Sequence, residues 1–306
     1  MEFFTLVNKM IVFLALMLIG YVCARRGIAD AVFTKTVSRL VINVYMSATI
    51  LKSVFDLQIS IGLRELGGVV LTMALMMVFC FALGFLATKL LRIDREHAPI
   101  FELLCSLSNT VFVGLPVADA LFGAQAVFYV SMSNIPFNLI LYTYGVWLLK
   151  SGKQSGRMRL RDMLSVPLVV TLIAVLIVIV KPPVPTVLRE LANTMAGATT
   201  PLSMLVIGSS LGTVSLLDAF RNKRLYAASF IRLILAPVLV ALLFRPFVGD
   251  PVLLVTCVIL AACPGAVMIT VLSIQYGRDY VFSSEGVLHS TFLSMFTIPA
   301  LLYFLF

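Results

Sequence analysis

Ser106-Leu107-Ser108-Asn109-Thr110-Val111-Phe112-Val113-Gly114-Leu115-Pro116 runs on to Leu121-Phe122-Gly123, and Ala261-Ala262-Cys263-Pro264-Gly265-Ala266 runs on to Gln275-Tyr276-Gly277. The two stretches lie about half the chain apart. Each is an apolar segment long enough to cross a bilayer, broken near its middle by Gly, Pro and small polar residues. Backbone groups freed by such a break find no water in lipid, so breaks persist where they line a cavity or are buried in protein. Interrupted hydrophobic segments at corresponding positions of two halves are the sequence mark of a secondary transporter's binding site.

The surrounding composition fits a membrane. The chain of 306 residues is 61% hydrophobic and 12% charged, with a mean hydropathy of +1.07. Soluble domains carry about a quarter charged residues. Apolar stretches of about 20 residues, the length that spans a bilayer as helix, recur throughout. The first, Phe3 to Cys23, lacks a strongly basic leading region and a small-residue cleavage site, so it reads as a span and not a removable signal peptide. Cys23, Cys80, Cys105, Cys257 and Cys263 fall in or beside apolar segments without a CxxC pair, and read as buried thiols.

Ten spans are expected, at 3–24, 31–55, 65–90, 97–122, 126–150, 163–181, 187–214, 223–247, 251–276 and 280–305. With the N-terminus outside, inner loops and span ends hold 16 Lys and Arg, counted from Arg25 to Arg278, whereas the outer set is Lys52, Arg64, Lys181, Arg189 and Arg245. This asymmetry satisfies the positive-inside rule and places both termini outward. It also accounts for the formal charge of +9 without nucleic acid as a partner. Five spans precede the basic loop 151–162 and five follow, so the halves 1–150 and 163–306 have opposite orientations. Phe122-Gly123-Ala124-Gln125-Ala126-Val127-Phe128 matches Tyr276-Gly277-Arg278-Asp279-Tyr280-Val281-Phe282 at an offset of 154. The expected fold is an all-α integral membrane domain, a 5+5 inverted repeat whose fourth and ninth helices are broken and cross.

The chain resembles the auxin efflux carrier family, which includes plant auxin exporters and bacterial organic-acid permeases. The resemblance rests on Asn109 to Pro116 with Leu121-Phe122-Gly123, and on Tyr142-Thr143-Tyr144-Gly145. It rests also on Arg232-Leu233-Ile234-Leu235-Ala236-Pro237 and on Cys263-Pro264-Gly265-Ala266 before Tyr276-Gly277. It implies a ten-helix carrier of organic anions in the bacterial inner membrane, with periplasmic termini and helices 4 and 9 unwound at the centre. Family members often carry a proline midway along span 2, where this chain reads Asn43-Val44-Tyr45-Met46-Ser47, while Pro201 keeps the comparable slot in span 7.

Several residues suit such a site. Asn109 lies near the middle of span 4, Asn43 midway along span 2, and Asn134 and Asn138 share one face of span 5. Amides at that depth need partners. Asn109 and Asn138, with freed backbone amides around Thr110, Gly114, Pro116, Cys263, Pro264 and Gly265, suit a substrate carboxylate; interhelical bonding is the structural alternative. Arg232, near the middle of span 8, suits either an anionic substrate or a pair with Glu285. Glu285 and His289, spaced i, i+4, suit a proton relay or a structural pair. Glu102 and Asp119 lie toward opposite ends of span 4, where water at cavity mouths would solvate them.

Enzyme chemistry has little support. Gly208-Ser209-Ser210-Leu211-Gly212 fits G-x-S-x-G, but inside an apolar span it reads as close helix packing. There is no HExxH, P-loop or dinucleotide fingerprint, and with His97 and His289 the only histidines, no metal or other cofactor is expected beyond a coupling H+ or Na+. The expected partners are a small organic anion and the lipid bilayer, and the sequence leaves room for a homodimer. The leading function is a secondary carrier for a mono- or dicarboxylate. The alternative is a membrane sensor or channel-like protein on the same fold.

Overall fold

A computed structural model describes residues 3–56, 62–150, 166–213 and 216–305. The loop 151–162, expected to link the halves, lies outside the described residues. Among the described residues all regular structure is helical, apart from one isolated bridge between Ser108 and Gly265. The helical segments Arg64–Leu90, Thr110–Lys150, Lys223–Phe244 and Tyr280–Leu305 are each long and apolar enough to cross a membrane, and Ile11–Arg25, Val166–Val180 and Pro251–Ala262 are shorter apolar helices. The run Thr110–Lys150 is bent at Gly123, which adopts φ 60° and ψ −145°, a conformation that only glycine takes without strain.

Local signals set the helix ends. Asp30 caps Phe33, Asn222 caps Arg224, and Asp250 caps Val252 with Pro251 in the first turn. Such caps satisfy amides that have no partner inside the helix. At the other ends, Gly27 (φ 75°) and Gly277 (φ 64°) take the left-handed conformation that closes a helix. Arg92 and Lys181 (both φ 50°) do the same without the freedom of glycine.

The chain divides into two compact units. The first comprises Met1–Leu71, Val111–Ile135 and Leu164–Val214. Within it, the helix Phe3–Arg25 packs along Thr199–Thr213 with almost no side chain between them. A Cβ on Gly208 would lie 1.9 Å from the Met17 carbonyl oxygen, one on Gly20 2.3 Å from that of Leu205, and one on Gly212 2.6 Å from the Ala24 Cβ. The G-x-S-x-G sequence is thus a contact surface. Span 2, which lacks the proline, is interrupted instead by a π-helical turn over Val41–Tyr45. Thr199 donates its hydroxyl to the Tyr45 carbonyl at 3.0 Å and lies 2.7 Å from the Thr49 hydroxyl.

The second unit comprises Thr72–Thr110, Pro136–Met163 and Ser215–Phe306. Its core joins Phe81, Ile100, Phe101, Leu104, Ile231 and Ile269, among others. Small residues again set the spacing. A Cβ on Gly84 would lie 2.2 Å from the Ser106 hydroxyl, and one on Gly286 2.4 Å from Leu104 Cδ1.

Candidate functional site: two broken helices joined by a backbone bridge

The helix Ala98–Ser106 stops at Leu107, which is extended (φ −90°, ψ 121°). The helix Pro251–Ala262 stops at Cys263, also extended (φ −64°, ψ 146°). Pro264 explains the second stop, because the residue before proline is driven out of the helical region. The two extended segments lie antiparallel. The Asn109 amide donates to the Pro264 carbonyl at 2.8 Å, and the Ala266 amide donates to that of Leu107 at 3.0 Å. The Gly265 amide donates to the Ser290 hydroxyl at 3.1 Å. Each chain thus satisfies the groups that the other's break exposes, and helix resumes as a π-helical turn over Thr110–Gly114 and at Met268–Gln275.

Two helix C-termini converge on this bridge. Each leaves carbonyls without intrahelical donors and carries roughly half a negative charge. Arg232 answers both. It is completely buried and projects from a π-helical turn, Ile231–Leu235. Its Nε donates to the Cys263 carbonyl at 2.9 Å, its Nη1 to Ser106 at 3.0 Å and Cys105 at 3.4 Å, and its Nη2 to Leu260 at 2.8 Å and to the Ser108 hydroxyl. Ser108 in turn donates to Leu260 at 2.7 Å. The sequence left Arg232 with a substrate anion or with Glu285. In the structure its hydrogen bonds go instead to four backbone carbonyls and a hydroxyl, a partner set that fills the guanidinium fork.

The other expected residues are distributed as follows. Asn109, Thr110, Gly114, Pro116, Cys263, Pro264 and Gly265 are all buried at the break or in the turns leaving it. Asn134, of the first unit, and Asn138, of the second, are also buried. Asn43 is exposed, on the wall of a 400 Å³ cleft of the first unit lined also by Ser47, Phe55 and Leu188. His289 is buried, with Nδ1 2.8 Å from the Ser229 hydroxyl and its ring against Phe220 and Tyr226. Glu285 is half-buried one turn earlier on the same helix. Glu102 departs from expectation. It is 3% exposed and accepts the Tyr144 hydroxyl at 2.6 Å, so packing of Ala98–Ser106 on all sides has removed it from water.

Two features were not read from the sequence. Ser108 and Ser290 hold the bridge, and the only sign was small polar residues inside apolar runs. At the loop ends of the second unit, Asp94, His97, Arg224 and Asp279 form an ion cluster. His97 Nδ1 lies 2.7 Å from Asp94 and Nε2 3.4 Å from Asp279, and Arg224 also pairs with Asp94. The His97 backbone amide and then its ring hold the Asp94 carboxyl well down, at about 2. These residues come from three separate loops, and no sequence spacing announces their meeting.

Fold and bridge together define a polytopic helical membrane protein with two discontinuous, mutually bonded helices. Comparison with known proteins names the family: a profile described as membrane transport protein matches residues 5–160 and 155–302, and the chain belongs to this family, the auxin efflux carriers. It is 24% identical over 294 residues to an uncharacterized transporter of Methanothermobacter thermautotrophicus, covering 94% of each chain. It is 27% identical over 306 residues to an uncharacterized transporter of Methanocaldococcus jannaschii, covering 95% of this chain and 96% of that one.

Proposed function

We propose that the protein is a secondary carrier that exports a small organic anion, a mono- or dicarboxylate, across the bacterial inner membrane by alternating access. The observation that carries this reading is the bridge at Ser108 and Gly265. Two helices are stopped within apolar sequence and their free ends are bonded to each other, an arrangement a permanently packed bundle has no need of. Asn109 and Asn138, with the amides of the turn after Gly265, donate to the substrate carboxylate. The helix starts there add favourable dipole character. Proton or sodium coupling supplies the energy.

The proposed membrane arrangement is ten spans in a 5+5 inverted repeat, with both termini in the periplasm. Backbone geometry supports the repeat. Of the five positive-φ residues among those described, Gly27 pairs with Lys181 and Gly123 with Gly277, and both pairs share the 154-residue offset found in the sequence. The test is uptake of labelled mono- and dicarboxylates into proteoliposomes, with and without proton or sodium gradients. Uptake of at least one anion above empty vesicles is expected. No uptake of any of them, with protein shown to be inserted and folded, overturns the reading.

A further inference from the structure

Glu102 is a carboxyl group that the substrate site leaves unused. Its helix, Ala98–Ser106, is embedded in apolar side chains that include Phe81, Leu141, Ile231 and Ile269. An ionised carboxylate in such surroundings costs several kcal/mol unless a cation or several donors compensate it. Among the described residues no cation forms an ion pair with Glu102. The elements packed against this helix carry Arg232, Lys223, Arg224, Lys150, Glu285 and His289, Cys105 is on the helix itself, and Cys80 lies near. Arg232 spends its donors on carbonyls, and Arg224 faces Asp94. Among the described residues only the Tyr144 hydroxyl hydrogen-bonds the carboxyl, and one neutral donor does not replace the hydration of a full charge.

The position of this carboxyl links it to the bridge. The Ser106 hydroxyl, one turn on, donates to the Glu102 backbone carbonyl at 2.7 Å. The Ser106 carbonyl is one of those that hold Arg232. Tyr144 stands on another π-helical turn, Leu141–Gly145, an element enriched at functional sites. A change of charge at Glu102 is therefore felt within one helical turn of the joined breaks.

We propose that Glu102, held by Tyr144, is the proton-binding site through which this carrier draws on a proton gradient, a proposal that rests on the carrier reading above. The step is a simple proton transfer. Hydronium gives a proton to a carboxylate oxygen and leaves as water, and the neutral acid is the form buried here. When the carrier opens the site to water the proton returns to solvent.

The ligand is the proton itself, so the test needs no substrate. Infrared difference spectra of the reconstituted protein are recorded from about pH 5 to about pH 10, the range in which buried glutamates titrate. The wild type is expected to show a protonated-carboxyl carbonyl band that disappears as pH rises. Glu102→Gln lacks that band. Tyr144→Phe keeps it, moved to higher frequency by loss of the hydrogen bond. Elution as a single species in size exclusion shows that each variant folds, and the Tyr144→Phe shift tests the assignment should Glu102→Gln not fold. A wild type with no band that either variant alters overturns the proposal, as does a band that persists at every pH, since a proton never released drives nothing. Neither result bears on anion uptake, so the carrier reading fails or stands separately.

Discussion

Replacing Arg232 by methionine keeps a long side chain and removes every donor and the charge. Three carbonyls, those of Cys263, Ser106 and Cys105, then lose donors at 2.9, 3.0 and 3.4 Å, whereas that of Leu260 keeps the Ser108 hydroxyl. A buried acceptor left unsatisfied costs about 1–3 kcal/mol, so the sum is about 3–9 kcal/mol before relaxation. Part of this is returned because a buried guanidinium no longer has to be desolvated, which leaves about 3–6 kcal/mol. With unfolding entropy of about 2.1 cal/mol/K per residue over 306 residues, the melting temperature falls by about 5–9 °C. Cys80, Cys105, Cys257 and Cys263 are buried, so a thiol-reactive maleimide dye reports unfolding directly. Cys105 and Cys263 flank the bridge, and their labelling below the melting temperature should rise selectively in Arg232→Met. Arg232→Lys, which retains the charge but not the fork, should fall between. A methionine variant that melts like the wild type and still shields Cys105 and Cys263 would refute the claim that Arg232 holds the two helix ends.

Asp94 sets an acid limit. Its folded value of about 2 lies below the ordinary 3.8, so its contribution is full above 3.8 and is lost as pH falls through about 2. Wild type should therefore melt higher than Asp94→Asn at neutral pH, with the gap closing between pH 3.8 and 2; because the carboxyl is partly exposed, the gap is a few degrees at most. Gly208→Ala forces the helices Phe3–Arg25 and Thr199–Thr213 apart and should lower the melting temperature by several degrees, whereas Gly67→Ala, with nothing within 4 Å, should leave it unchanged or raise it through helix propensity; equal melting of the two variants would contradict the close-packing account. Cysteines placed at Ser155 and Thr186 should label from opposite faces of oriented vesicles, and labelling from one face would contradict the proposed topology.

Much of this arrangement was legible because its causes are local. Pro264 and Gly265 within an apolar run announce a helix stop whatever surrounds them, and Ser108-Asn109-Thr110 does so nearly as well. Gly208 and Gly212, four apart on one helix face, announce close approach. The partners of Arg232 were not legible because backbone carbonyls have no residue type. A guanidinium read against side chains alone invites a carboxylate, and Glu285 was the nearest candidate in kind. Glu102 was misplaced for a related reason. Its height along span 4 suggested water, but burial depends on helices contributed by residues far along the chain. The π-helical turns at Val41–Tyr45 and Leu141–Gly145 contain no proline, and nothing in their composition marks them.

Counterflow tests the carrier claim most directly. Proteoliposomes are loaded with an unlabelled carboxylate that scores in the uptake screen and diluted into a trace of the same anion carrying a label, with ion gradients collapsed. A carrier that alternates around one closed site must exchange internal for external anion, so the label accumulates transiently above its equilibrium level and then decays. Wild type should show this overshoot, and Asn109→Ala should lose it. Label that only rises to equilibrium would mean an open pore, and no entry of label would mean no transport; either result would contradict the account.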